Sequence, residues 1–292
     1  MILAPFDYVE CADVEEAVSL LHDAGDRVRL IAGGTALVPL LKHRMASAEV
    51  LVSVSRIPGL RRIEVGPDGA LHVGSTATHR AVSRAAAIRE HSPLLAEACG
   101  RVASPTIRAM GTLGGNLCYG ESASDPSPAL IALGAEVVVL GPQGRRRMAV
   151  EDLFAGFYET VLTADEVLED IIVPAESRRR RWRYLKWTPR AQEDKALVGL
   201  AVVAETARQG RSMVCQSIRI GLGGVDPFPV RLRGAERVLA GAEISQDVVA
   251  RAAETAADEV KPFEDLQASA DYRREMVRVW ARRILSEVLE VA

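Results

Sequence analysis

Apolar positions recur at helical spacing from Asp13 to Ala24, where Val14, Ala17, Val18, Leu20 and Leu21 share one side. The short β-branched run Val28 to Ala32 follows, and then a helix-like segment over Ala36 to Met45 and a second strand at Val50 to Val54. The first part of the chain therefore reads αβαβ. Pro39 suits its helix only within the first turn, because deeper in it removes a hydrogen bond. A strand is predicted at Ala70 to Val73, Thr76 is placed as a helix cap, and two helical segments span Arg80 to Arg101 with a break at Ser92-Pro93. Between Ser104 and Pro128 periodicity gives way to Gly, Ser, Thr, Pro and Asn. Irregular segments this long inside compact domains are usually functional, which makes it the first place to look for a site. Ala135 to Leu140 and Arg145 to Val150 flank a Gly141-Pro142-Gln143-Gly144 turn and read as a hairpin, and Val167 to Val173 as a further strand.

The composition turns strongly charged over Pro174 to Arg183, and a domain boundary is placed near residue 176. The Arg178 to Arg181 run, with Trp182 and Arg183, reads as a solvated linker face, with subunit docking as its alternative role. Three strands follow, Trp182 to Trp187, Leu197 to Thr206 and Ser212 to Leu222, with turn chemistry suited to an antiparallel meander. Helices are expected over Ala235 to Ala240, over Gln246 to Val260 behind the Ser245 cap, and over Tyr272 to Val291. The last carries Tyr272, Met276, Val279, Trp280, Ile284, Leu285 and Val288 on one stripe. The fold class is α+β: one domain over 1–176, in lobes of about 1–55 and 56–176, then a domain over 177–292 with a three-stranded antiparallel sheet covered by helices.

Composition narrows the function classes. A chain of 292 residues with 48% hydrophobic and 26% charged residues folds as a globular protein, and Lys plus Arg at 36 against Asp plus Glu at 39 leaves a net charge of −3. No overall positive field points to nucleic acid or to anionic lipid. Cys11, Cys99, Cys118 and Cys215 are scattered, without the spacing of a zinc or iron–sulfur site or of a disulfide framework. Apolar stretches such as Leu197 to Ala204 are far shorter than the roughly 18 to 20 residues that cross a bilayer, and Met1 to Asp7 carries no signal core. No transmembrane segment and a cytoplasmic location are expected. His22, His43, His72, His79 and His91 have no paired ligand spacing and read as surface or packed side chains.

Two glycine-rich segments carry the candidate chemistry. Leu30-Ile31-Ala32-Gly33-Gly34-Thr35-Ala36-Leu37 runs from a strand through a double glycine into a helix start. Such a turn lets backbone N–H groups approach a phosphate, although turn chemistry alone also produces it. It matches neither GxGxxG nor GxxxxGK[ST]. Gly111-Thr112-Leu113-Gly114-Gly115-Asn116 offers backbone, Thr and Asn donors suited to a pyrophosphate, and Asp125-Pro126 follows it. Together the two imply a dinucleotide cofactor held without a Rossmann fingerprint. No acid, base or nucleophile constellation is legible.

Ala32-Gly33-Gly34-Thr35, Pro105-Thr106-Ile107-Arg108 leading to Gly111–Asn116, and Asp125-Pro126 resemble the FAD-binding (medium) subunit of the molybdenum hydroxylases, as in carbon monoxide dehydrogenase and the FAD domain of xanthine dehydrogenase. Lys186, Arg190, Asp194 and Ala196, then Gly223-Gly224-Val225 to Pro229-Val230-Arg231, extend the resemblance over the whole chain. It implies a two-lobed PCMH-type FAD-binding domain and a C-terminal α+β domain that closes over the flavin. By position, Leu30, Ile31, Ala32, Gly33, Gly34, Thr35, Ala36 and Leu37, with Thr106, Thr112, Leu113, Gly114, Gly115 and Asn116, would hold FAD about its pyrophosphate. Val102 and Asp125 would contact the flavin or its sugar chain, and Leu168 and Lys186 would line the cofactor. The implied partners are a molybdenum-cofactor large subunit and a 2Fe-2S small subunit, with NAD, a quinone or oxygen as acceptor. The alternative is a stand-alone FAD-dependent oxidoreductase acting on a small organic substrate. In relatives an aromatic or aliphatic residue shields one flavin face where this sequence has Lys195, which is expected to point to solvent.

Overall fold

The computed structural model describes residues 3–175, 180–191 and 193–291, so the expected boundary near residue 176 and Arg178 lie outside the described residues. Strands β1 (Asp7–Glu10), β2 (Val28–Ile31) and β3 (Val50–Ser53) form a parallel sheet in the order β1-β3-β2. Parallel pairing needs crossovers, and helices α1 (Val14–Ala24) and α2 (Leu37–Lys42) supply them. The Asp13 carboxylate accepts the N–H of Glu16 and caps α1, which buries Val14, Ala17, Val18 and Leu21. Pro39 falls in the first turn of α2, where its missing N–H costs no helical bond. Strand β1 escaped the sequence reading because it is an edge strand with no buried side chain.

The second sheet is antiparallel and runs β4 (Ile63–Val65), β5 (Leu71–Gly74), β10 (Val167–Val173), β6 (Glu136–Gly141), β7 (Gly144–Ala149). Strands β8 (Phe154–Gly156) and β9 (Glu159–Thr160) make a small separate hairpin. Six short helices lie between β5 and β6: α3 (His79–Arg84), α4 (Ala86–His91), α5 (Pro93–Gly100), α6 (Pro105–Met110), α7 (Leu113–Tyr119) and α8 (Pro126–Leu133). Thr76 caps none of them. It is buried and donates its hydroxyl to the Leu60 carbonyl, while Thr78 caps α3 by accepting the N–H of Ala81. The segment Ser104 to Pro128, expected to be irregular, is largely helical. Its helices are too short to display a 3.6-residue stripe, and every residue of α8 is buried, so that helix has no polar face.

The C-terminal sheet is a meander of β11 (Arg180–Trp187), β12 (Val198–Gln209) and β13 (Ser212–Gly223), with β14 (Val230–Arg231) as a fourth strand beyond the three expected. Helices α9 (Arg233–Leu239), α10 (Gln246–Glu259) and α11 (Ala270–Leu289) cover one face. The buried stripe of α11 is shifted from the expected one: Tyr272 is exposed, while Arg273, Val277, Ala281, Ile284, Leu285 and Val288 face inward. Arg273 donates to the carbonyls of Leu197 and Gly224 and pairs with Asp265 at 2.8 Å. Arg181 and Arg183 belong to β11 and pair with Glu290 and Glu287 at the end of α11, so this part of the basic run is strand and not linker. Helix α8 joins the sheets: Leu130 and Ile131 share one core with Val137 of β6 and with Tyr184, Ala201 and Val203 of the C-terminal sheet. No helix among the described residues is long and apolar enough to cross a membrane.

Candidate functional site

A cavity of about 290 Å³ lies between the parallel sheet and helices α3, α6 and α7. The run Leu30–Leu37 forms one wall, and Thr112, Gly114, Gly115, Asn116 and Leu168 the other. The two glycine segments, about 80 positions apart by residue number, thus meet at one site. Their packing explains the glycines. A Cβ on Gly33 would stand 2.0 Å from the Met110 carbonyl oxygen, and one on Gly114 would stand 2.5 Å from the Ser75 Cβ. Both contacts are shorter than any side chain tolerates, so these residues set how closely the turn, α6 and α7 approach one another.

The two segments offer different chemistry. In the first turn, no acceptor among the described residues takes the N–H groups of Gly33, Gly34, Thr35, Ala36 or Leu37. Gly34 has a left-handed φ of 69°, and a stretch of free amides lining a cavity is suited to an anion. In the second segment all the amides but that of Thr112 are already committed. Gly111 donates to Ile107, Leu113 to Ala77, Gly114 to Ser75 and Asn116 to Thr112 carbonyls, and Gly115 to the Thr112 hydroxyl. Besides the Thr112 N–H, its remaining donors are side chains, and Asn116 is oriented by Ser124, which donates to its Oδ1 at 2.6 Å.

His79 is the residue the sequence reading missed. Its ring lines the cavity, the residue is only 2% exposed, and its Nδ1 has no hydrogen-bond partner among the described residues. Burial first and the neighbouring Arg108 charge second push its pKa down to about 4. A neutral imidazole with an unpaired ring nitrogen therefore lies at the site. The available signal was the polar cluster Ser75, Thr76 and Thr78 directly after β5, which puts the next residue at the start of a helix beside the turn. Cys118 and Tyr119 also line the cavity. Cys118 is an exposed free thiol on the cavity wall.

Other expected residues lie elsewhere. Leu113 is fully buried in the core, and Thr106 is exposed on α6. Asp125 and Lys186 meet each other: Lys186 Nζ donates to Asp125 Oδ2 at 2.9 Å and to the Arg101 carbonyl at 2.8 Å, and Tyr184 Oη donates to Asp125 Oδ1 at 2.6 Å. Burial pushes the Asp125 carboxyl up against the opposing pull of Lys186 and Tyr184, and the same burial, with Asp125 beside it, raises the Tyr184 phenol. Val102 follows Arg101 in a turn whose carbonyls are held by cations, since Arg108 donates to Val102 and Ala103 at 2.7 and 2.5 Å. Lys195 does not simply point to solvent. It is half-exposed, pairs with Glu121, and lies 3.3 Å from the hydroxyl of Tyr158, whose ring packs 5.0 Å from that of Tyr119.

A concave site with free backbone donors and an apolar wall is the kind that cofactor-carrying proteins present, in which the bound group performs the reaction. Residues 4–176 match the family described as FAD binding domain in molybdopterin dehydrogenase, and residues 183–288 match the CO dehydrogenase flavoprotein C-terminal domain. The chain is 35% identical over 287 residues to the nicotine 6-hydroxylase medium subunit of Paenarthrobacter nicotinovorans, covering 98% of each. Its identity to the carbon monoxide dehydrogenase medium chain of Hydrogenophaga pseudoflava is also 35%, over the same share of each chain. The solved carbon monoxide dehydrogenase of that organism superimposes with a TM-score of 0.93 over 99% of this chain and 98% of its own, at 34% identity. The chain therefore belongs to the FAD-binding medium-subunit family of the molybdenum hydroxylases, as its resemblance to that family implied, and it is an oxidoreductase subunit.

Proposed function

We propose that this chain is the electron-transfer subunit of a molybdenum hydroxylase complex, passing electrons from the iron–sulfur clusters of a small partner through FAD to NAD, a quinone or oxygen, while a large molybdenum-cofactor partner oxidises the substrate. The observation that carries the reading is the convergence of free amides 33–37, neutral His79 and Asn116 on one cavity. These groups fit a diphosphate-bearing cofactor: the amides would hold the anion, and the imidazole and Asn116 would supply directed polar contacts without adding charge. When bound, FAD supplies one- and two-electron redox chemistry, and the protein supplies position and electrostatics. Committed amides on α7 keep that helix fixed against Ser75 and Ala77, so the second wall orients rather than grips. Leu168 would lie against the cofactor, and the pair Lys186–Asp125 would fix the turn that carries Val102. A division of the chain near residue 176, with the smaller unit closing over the cofactor, and a cytoplasmic location belong to the same proposal.

The experiment is a visible absorption spectrum of the purified chain, with heat release and identification of the flavin, followed by reduction assays with and without the partner subunits. FAD in the released fraction, reducible only when the partners and their substrate are present, is the expected result. Bleaching by a small organic substrate with no partner would replace this reading with the stand-alone oxidoreductase. A colourless chain that fails to take up added FAD would overturn both.

A further inference from the structure

Outside the cofactor cavity, helices α3, α4, α5 and α6 enclose an open groove of about 730 Å³ lined by Arg80, Arg84, Arg89, Arg101 and Arg108, with Glu97 as its one carboxylate. This is a strongly cationic concavity on a chain whose net charge is −3. Glu97 is already paired with Arg101 at 3.0 Å. Arg89 gives its Nε to the Ser83 carbonyl and Arg108 an Nη1 to the 102–103 turn, which fixes both guanidinium planes at the groove wall. The guanidinium groups of Arg80 and Arg84 have no acceptor or acidic partner among the described residues. Like charges gathered in a concavity repel one another, and the field is focused into the groove until an anion enters.

We propose that this groove is a binding site for a small pyrophosphate-bearing anion. Guanidinium groups match phosphate oxygens bidentately, and here they converge from four helices on a volume within the range of small-molecule sites. Convergence inside a concavity distinguishes the site from a basic face suited to a flat protein surface. The groove and the cofactor cavity share a wall: His79 and Gly111 line the cavity, Arg80 and Arg108 the groove, and the His79 N–H donates to the Gly111 carbonyl at 3.0 Å. An anion held there lies across this shared wall from the cofactor site, beside the turn carrying Val102 that Arg108 holds.

The test is a titration of the FAD-loaded full chain with inorganic pyrophosphate at low and at physiological ionic strength, alongside the Arg80→Ser/Arg84→Ser double variant. Both side chains are exposed, and the single variants stand in if the double variant fails to fold. Saturable binding is expected, weakened at least tenfold in the double variant and reduced by salt, with flavin content and melting temperature unchanged. Competition by NADH would identify a dinucleotide as the source of the pyrophosphate; competition by ADP alone would identify a nucleoside diphosphate. Absence of saturable binding, an affinity indifferent to Arg80 and Arg84, or binding of polyglutamate but not of pyrophosphate would overturn the proposal. Because pyrophosphate binding is read separately from flavin content, its failure leaves the FAD assignment standing.

Discussion

Lys186 Nζ sits 2.9 Å from Asp125 Oδ2, in a place where both side chains are almost fully removed from solvent. The pair ties β11 to the start of α8, and Tyr184 completes it from the same strand. Removing one partner of a buried ion pair leaves the other charge uncompensated, so Lys186→Met should destabilise the fold by about 3–5 kcal/mol. Lys186→Met with Asp125→Asn should recover most of that loss. Urea denaturation of the single and double variants checks it, and a double variant no better than Lys186→Met would show that the lysine acts through the Arg101 carbonyl instead.

His79 gives a pH dependence with a definite sign. Its pKa is pushed down to about 4 in the folded chain, against 6.5 for an ordinary histidine. Between those values the unfolded chain binds more protons than the folded one, so stability is lost as pH falls from about 6.5 to about 4 and none is lost above it. The gap corresponds to about 3 kcal/mol below pH 4. His79→Gln should remove that component, making the variant relatively more stable at pH 4.5 than at pH 7 when each is referred to wild type by urea denaturation. Equal differences at both pH values would rule out a neutral, buried imidazole.

Periodicity reports where apolar side chains repeat, and it located α1, β2, β3, β10 and the C-terminal meander because each buries such a repeat. The glycine segments were legible as a site because close backbone approach restricts residue type, whatever the partner. What stayed hidden depends on tertiary partners. The inward face of α11 begins with Arg273, which is buried because carbonyls of distant residues accept its protons, and no hydropathy pattern selects an arginine. The amides of Leu113 and Gly114 looked as available as those of Gly33 and Gly34 until β5 and the Ser75 turn were placed beside them. The Arg80–Arg108 groove likewise gathers cations from four helices whose charges are unremarkable along the chain.

Lys195 tests whether the loop before β12 restricts access to the cofactor. Burial pulls its pKa down, but Glu121 and Tyr158 outweigh that and hold its ammonium above the ordinary value. Exposed pairs contribute little, so Lys195→Ala should change stability by less than about 1 kcal/mol. It also releases Tyr158, which holds a left-handed φ of 54° and packs on the cavity residue Tyr119. Iodide quenching of flavin fluorescence should therefore increase in Lys195→Ala while flavin content stays constant. Unchanged quenching would leave the Lys195–Glu121 pair without a role in access.

Gly33 carries the sharpest prediction for the cofactor site. An added Cβ would meet the Met110 carbonyl at 2.0 Å, and a backbone oxygen cannot swing aside as a long side chain can. In Gly33→Ala the turn must withdraw from the end of α6, which tilts the free amides of residues 34–37 away from the cavity. Overpacking of this kind costs about 1–3 kcal/mol in the FAD-free chain. The loss of cofactor grip adds to it, because a ligand bound only by the folded state stabilises by about 2.7 kcal/mol at a hundredfold excess over its dissociation constant. Gly59→Ala is the control, since its added Cβ meets only the Arg62 guanidinium, at 4.0 Å. Flavin released per chain and melting temperatures with and without added FAD separate the two contributions. Gly33→Ala should lose flavin and the FAD-dependent rise in melting temperature, and Gly59→Ala should keep both. A Gly33→Ala chain with full flavin content would show that the cofactor is held by the α7 wall and not by the turn.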